Sequence, residues 1–175
     1  MRKLGVLLTL LLGQLPIATA SVAGPALSYS PLTAVASGPS GPASAQLVVG
    51  PHCCPSTAII VQAPAAVGED AFQFVEIGLT TRADRAITRL RVCYAIDAPA
   101  PGLTYISQTR LTDMETPDAA FVILDDATDR TDLGPTCYNV DTNLRTRGAV
   151  TLALKIVIDD PADAITIGAI KLRFD

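Results

Sequence analysis

Two stretches of this chain alternate apolar and polar residues strictly enough to fix their backbone. In residues 87–96, Leu90, Val92, Tyr94 and Ile96 share one face, while Arg89, Arg91 and Cys93 share the other. In residues 150–158, Val150, Leu152, Leu154, Ile156 and Ile158 oppose Thr151 and Lys155. A period of two sends alternate side chains to opposite sides of a β-strand, so each stretch lays one face on a core. Seven further runs read as strands: 47–49, 58–62, 72–80, 105–112, 121–124, 137–140 and 165–174. No long segment repeats at helical spacing, and Pro117 limits 112–120 to one helical turn. Short strands between turn-rich loops predict an all-β fold, an antiparallel β-sandwich of jelly-roll or Ig-like type with about 8–9 short strands. In the last run the apolar set Ile165 and Ile167 changes phase to Ile170, Leu172 and Phe174, which predicts a bulge at Gly168. The run 72–80 changes phase in the same way, from Phe72 and Phe74 to Val75, Ile77 and Leu79. The last two strands read as a hairpin across residues 159–163.

Charge divides the chain differently. After Lys3, no Asp, Glu, Lys or Arg occurs before Glu69. Residues 1–20 read as a secretory signal peptide: Arg2 and Lys3, an apolar core from Leu4 to Leu15, then Ala18-Thr19-Ala20 as a cleavage pattern. The apolar core is too short to span a bilayer comfortably, and no later run of the mature chain reads as a transmembrane segment. Export to the periplasm, the cell envelope or the outside is therefore expected. Residues 21–46 are Ala/Ser/Gly/Pro-rich and read as a flexible linker, or as a docking arm that meets a partner through Val22, Leu27, Tyr29, Leu32 and Val35. Residues 47–175 form the expected β-sandwich domain, large enough to bury about two thirds of its unfolded surface. The formal charge of −4 argues against a general nucleic-acid binder.

The four cysteines, following an export signal, point to disulfides. Cys93–Cys137 is the favoured pair, because Cys93-Tyr94-Ala95-Ile96-Asp97 and Cys137-Tyr138-Asn139-Val140-Asp141 are alike and both lie in expected strands. Cys53 and Cys54 are then vicinally bonded, free or intermolecular. The rival arrangement ties the Cys53-Cys54 segment to both strands. His52-Cys53-Cys54 lacks the spacing of a zinc site, so no metal is favoured there.

Acidic residues gather after strands. Asp125, Asp126 and Asp129 share a D-D-x-x-D spacing with Asp159, Asp160 and Asp163, and are weak calcium candidates. Asp113, Glu115 and Asp118 form a third group. Solvated turns explain such residues as well. Arg82, Arg85, Arg89 and Arg91 suggest a basic stripe or a solvated outer face. With His52 the only histidine and no G-x-S-x-G motif, no catalytic residue is assigned, and no cofactor is expected. The strand pattern has the general look of exported jelly-roll binding domains, a likeness of fold that carries no function. The leading reading is a non-catalytic exported protein acting through contacts with another protein or a larger assembly, as an accessory or structural subunit. The runner-up is a module that binds a glycan or Ca²⁺. The third is a small hydrolase using loop carboxylates, set against the lack of tryptophan to stack on sugars.

Overall fold

The alternating runs become strands of two antiparallel sheets. The computed structural model describes residues 24–38, 47–53, 56–116 and 118–175. It contains eleven strands: β1 (Ala26–Tyr29), β2 (Val35–Ser37), β3 (Val48–Pro51), β4 (Ile59–Gln62), β5 (Phe74–Leu79), β6 (Ile87–Asp97), β7 (Tyr105–Thr116), β8 (Ala119–Asp126), β9 (Thr136–Leu144), β10 (Ala149–Val157) and β11 (Ala164–Phe174). One sheet runs β3-β4-β11-β6-β9, with β1 also paired to β11; the other runs β2-β5-β10-β7-β8. Among the described residues the only helical turns are Pro31–Thr33 and Glu69–Ala71, and no helix is long and apolar enough to cross a membrane.

The two inner faces meet in a core built mainly from aliphatic side chains. Leu90, Val92, Ile165, Ile167 and Leu172 enter from the first sheet. Ile77, Leu111, Leu152, Leu154 and Ile156 enter from the second. Each is almost fully buried, worth about 1.5–3 kcal/mol relative to exposure. One polar link crosses this core: the Tyr138 and Thr109 hydroxyls lie 2.6 Å apart. Burial holds the Tyr138 hydroxyl far above its ordinary pKa, so it stays protonated and can serve the bond. Tyr94 packs edge-on to Tyr138, with ring centroids 5.9 Å apart.

The expected bulge is present. The pairing of β11 with β6 shifts between Ile167 and Ile170, so Gly168 and Ala169 loop out and both halves keep their apolar residues inward. The phase change at 72–80 has a different cause. Phe72 lies outside the strand, in a left-handed conformation (φ 49°), and β5 begins at Phe74.

Four expectations need correction. The hairpin across residues 159–163 does not form, because β10 and β11 belong to different sheets. The loop crosses between them, held by the buried Asp163 carboxylate, which accepts from the Thr104 hydroxyl, and by Thr104 Oγ1, which accepts from the Asp159 amide. Among the described residues of 112–120 there is no helical turn; β7 and β8 continue to Thr116 and from Ala119, pairing as they go. Among the described residues the strands number eleven, because two lie in the segment expected to be an arm. That is the fourth correction: the described part of 21–46, residues 24–38, belongs to the sandwich, so the described fold begins before residue 47. β1 pairs with the Ile170–Arg173 stretch of β11, and β2 pairs with β5. Gly24 approaches the C-terminal strand so closely that a Cβ there would lie 2.0 Å from the Phe174 carbonyl oxygen.

Candidate functional site

The outer face of the five-stranded sheet gathers aromatic and hydrogen-bonding side chains in register. Ser37, Phe74, Lys155 and Gln108 are successive cross-strand neighbours. The next rung carries Val35, Glu76, Ala153, Arg110 and Asp125. Alternation turns these outward, since Val75, Ile77, Leu154 and Leu111 between them are buried. The central strand contributes the small residues Thr151 and Ala153, which leave Glu76 and Arg110 to define the two sides.

This face is already organised by its own contacts. The Ser37 hydroxyl donates to Glu76 at 2.7 Å. Gln108 donates to Asp125 at 2.5 Å, and Arg110 donates to the same carboxylate at 3.2 Å. The Arg110 guanidinium lies 5.8 Å from the Phe74 centroid, and the Lys155 ammonium 4.9 Å from that of Phe72. Phe72 is 61% exposed. Its positive φ is costly for a residue with a Cβ, so an exposed ring is held by a strained backbone. Carboxylates, amides and cations beside open rings suit a ligand that offers both hydroxyls and C–H faces.

A separate cavity of 300 Å³ opens where β7 and β8 meet the β9–β10 connection. It is lined by Asp113, Glu115, Phe121, Ile123, Arg145 and Arg147. Asp113 is buried and accepts from the Arg147 and Gly148 amides at 2.8 and 2.9 Å, which fixes that connection. Phe121 is 60% exposed. Only Phe174 of the chain's four phenylalanines is a core residue.

The residues singled out by sequence are dispersed. Cys93 and Cys137 are directly opposed on β6 and β9 and form a disulfide, with Cα atoms 4.0 Å apart. Cys53 is disulfide-bonded, which removes the free-thiol option for it; Cys54 lies outside the described residues. Of the arm residues, Val22 lies outside the described residues as well. Leu27 and Tyr29 pack half-buried against the chain's own core, while Leu32 and Val35 are exposed. The acidic groups have separate partners. Asp125 binds Gln108 and Arg110. Asp126 binds Thr128 and Arg130. Asp160 accepts from the Ala162 amide, and Asp163 from Thr104. Asp129 lies in the loop after β8, and Asp159 follows β10. Among the described residues no three His, Cys, Asp or Glu side chains gather to hold a metal ion.

Asp126 carries a pH dependence. Burial alone would raise its carboxyl, but the Thr128 hydroxyl and amide and the Arg130 guanidinium outweigh that and hold it below the usual range. A carboxyl depressed on folding stabilises fully at neutral pH, and that contribution is lost as pH falls through its folded value. Asp126→Asn is therefore expected to lower the urea midpoint at pH 7, by an amount that shrinks as pH falls below the ordinary carboxyl range. A deficit that stays constant as pH falls through the acid range would refute this assignment.

No protein-family model and no curated protein matches the chain. Solved structures do. A CBM4 carbohydrate-binding module aligns over 83% of this chain and 89% of its own, with TM-score 0.54 and 5% identity. The CBM22-1 xylan-binding domain from Paenibacillus barcinonensis Xyn10C aligns over 89% and 97%, with TM-score 0.55 and 11% identity. At such identities the likeness establishes the β-sandwich fold. Sequence pattern alone does not bring Phe72, Phe74, Glu76, Lys155 and Arg110 together. The available signal was aromatic side chains next to a phase break at the start of β5.

Proposed function

We propose that this chain is an exported, non-catalytic glycan-binding module that holds an oligosaccharide on the outer face of its five-stranded sheet. The observation that carries the reading is the pair Phe72 and Phe74 beside Glu76, which Ser37 holds, and the linked groups Arg110, Gln108 and Asp125. Rings pack against the C–H faces of a sugar, while fixed carboxylate and guanidinium groups bond its hydroxyls. The shared fold with carbohydrate-binding modules supports the same reading, and the xylan-binding neighbour suggests the first ligand to try. Export rests on residues 1–20, which lie outside the described residues.

Of the arm residues Val22, Leu27, Tyr29, Leu32 and Val35, Leu27 and Tyr29 pack on this chain's own core, while Leu32 and Val35 are exposed. Among the loop carboxylates, Asp125 and Asp126 each pair with an arginine.

Calorimetric titration with xylohexaose and cellohexaose, backed by a glycan array, tests the proposal. At least one neutral oligosaccharide is expected to bind. Phe72→Gly is expected to weaken it about 10–100-fold, the scale of losing a buried ring. The same variant should melt no lower than the parent, because glycine relieves the positive φ. Silence across the array from cooperatively folded protein would remove this reading.

A further inference from the structure

The six-stranded sheet turns an unlike face to solvent. Register places Arg91 opposite Lys171 and Arg89 opposite Arg173. All four point outward, because Leu90, Val92, Leu172 and Phe174 between them are buried. Like charges directly opposed across strands destabilise a ladder. Asp141 pairs with Arg89 at 2.5 Å. Among the described residues, Arg91, Lys171 and Arg173 have no ion-pair partner. An acidic chain thus keeps a concentrated positive field on one sheet.

The bulge shapes the surface beside these cations. A cavity of 290 Å³ is lined by Ser28, Arg91, Cys93, Ala169 and Lys171. A second, of 240 Å³, shares Cys93 and is walled by Ala95, Pro135, Cys137, Thr166 and Gly168 among others. One hollow offers a guanidinium, an ammonium and a hydroxyl. Its neighbour offers a disulfide, a proline ring and methyl groups.

We infer that this face binds an acidic saccharide through a carboxylate or sulfate held between Arg91 and Lys171, with the sugar ring over the Cys93–Cys137 disulfide. A guanidinium fork matches either oxyanion. The rungs Arg91–Lys171 and Arg89–Arg173 are two residues apart, about 7 Å along the strands, so a polymer charged on successive units can engage both. The most exposed aromatic rings, Phe72 and Phe121, belong to the other sheet's region, so bases of a nucleic acid would find no ring to stack on here. The inference does not depend on the neutral-glycan face, which lies on the opposite side of the sandwich.

The test is calorimetric titration of the folded chain with hexagalacturonate, a heparin-derived hexasaccharide, xylohexaose and inorganic sulfate. At least one acidic oligosaccharide is expected to bind, more weakly as salt rises from about 50 to about 500 mM. The double variant Arg91→Gln, Lys171→Gln should weaken it about tenfold or more, the scale of lost hydrogen bonds to charged groups. It should also melt at the parent temperature or above, since repulsion is relieved. Phe72→Gly should leave this binding intact. Several results would overturn the inference. Neither acidic oligosaccharide binds, or the double variant binds as well as the parent. Phe72→Gly abolishes acidic and neutral binding alike. Inorganic sulfate displaces the oligosaccharide at equal concentration, which marks an adventitious ion only. Sedimentation shows a ligand-free dimer that the double variant dissolves, which makes the occupant a second copy.

Discussion

A chain that begins at Leu47 is expected to melt about 10–20 °C lower than one that keeps residues 21–46, or to fail to fold. The reason is the ladder that residues 24–38 complete. β1 covers the backbone of Ile170–Arg173 on the side of β11 that β4 leaves open, and β2 covers the edge of β5. The Phe174 amide donates to the Pro25 carbonyl at 3.0 Å, and the Ser30 hydroxyl to the Thr57 carbonyl at 2.8 Å. The Tyr29 hydroxyl donates to the Thr80 carbonyl. Leu27 and Tyr29 add half-buried apolar surface. These terms together reach about 5 kcal/mol, comparable with the whole stability of a domain this size. At the usual sensitivity of melting temperature for about 150 residues, that gives the shift above. Differential scanning calorimetry of the two chains decides it, and equal melting temperatures would restore the tether.

The second large effect is expected from Cys93→Ala with Cys137→Ala. Their bond closes a loop with a sequence separation of 44. Constraining the unfolded chain to that extent contributes about 2–4 kcal/mol, with the chain-entropy model at the upper end. The double variant should show a lower urea midpoint. Intact mass after alkylation without reductant should show the Cys93 and Cys137 thiols blocked in the parent. An unchanged midpoint would mean that packing of β6 on β9 alone holds this part of the sheet.

Why the strands of the second half were legible and the arm was not follows from what pairing needs. Runs such as Val150–Ile158 carry their own face preference, so each is readable in isolation. β1 and β2 have four and three residues, drawn mostly from Ala, Ser, Leu, Tyr and Val. They are strands because β11 and β5 offer open edges, a property of their partners. The loop 159–163 shows the same limit. Its turn-forming residues suit a hairpin or a crossover equally, and Thr104, 59 residues from Asp163 in sequence, fixes the crossover. Gly168 could be read, because a bulge leaves a local phase change behind.

The candidate site was less legible than the fold. Phe74, Lys155 and Gln108 become neighbours only through the registers of three strands. The opposition of Arg91 to Lys171 is equally invisible along the chain. The chain has no tryptophan, and its phenylalanines carry no mark in the sequence that separates a surface ring from a core one. Only burial reveals that Phe72 and Phe121 are spent on the surface while isoleucine, leucine and valine fill the interior.

The pairing of β1 with β11 has a topological consequence. Gly24 and Phe174 are in contact, so the polypeptide enters and leaves the sandwich at one point. Such a body can hang from a single stem, with both broad faces turned away from the attachment. The same adjacency would let a short linker join the ends and the chain be reopened at a distant turn, a circular permutant with its eleven strands in place.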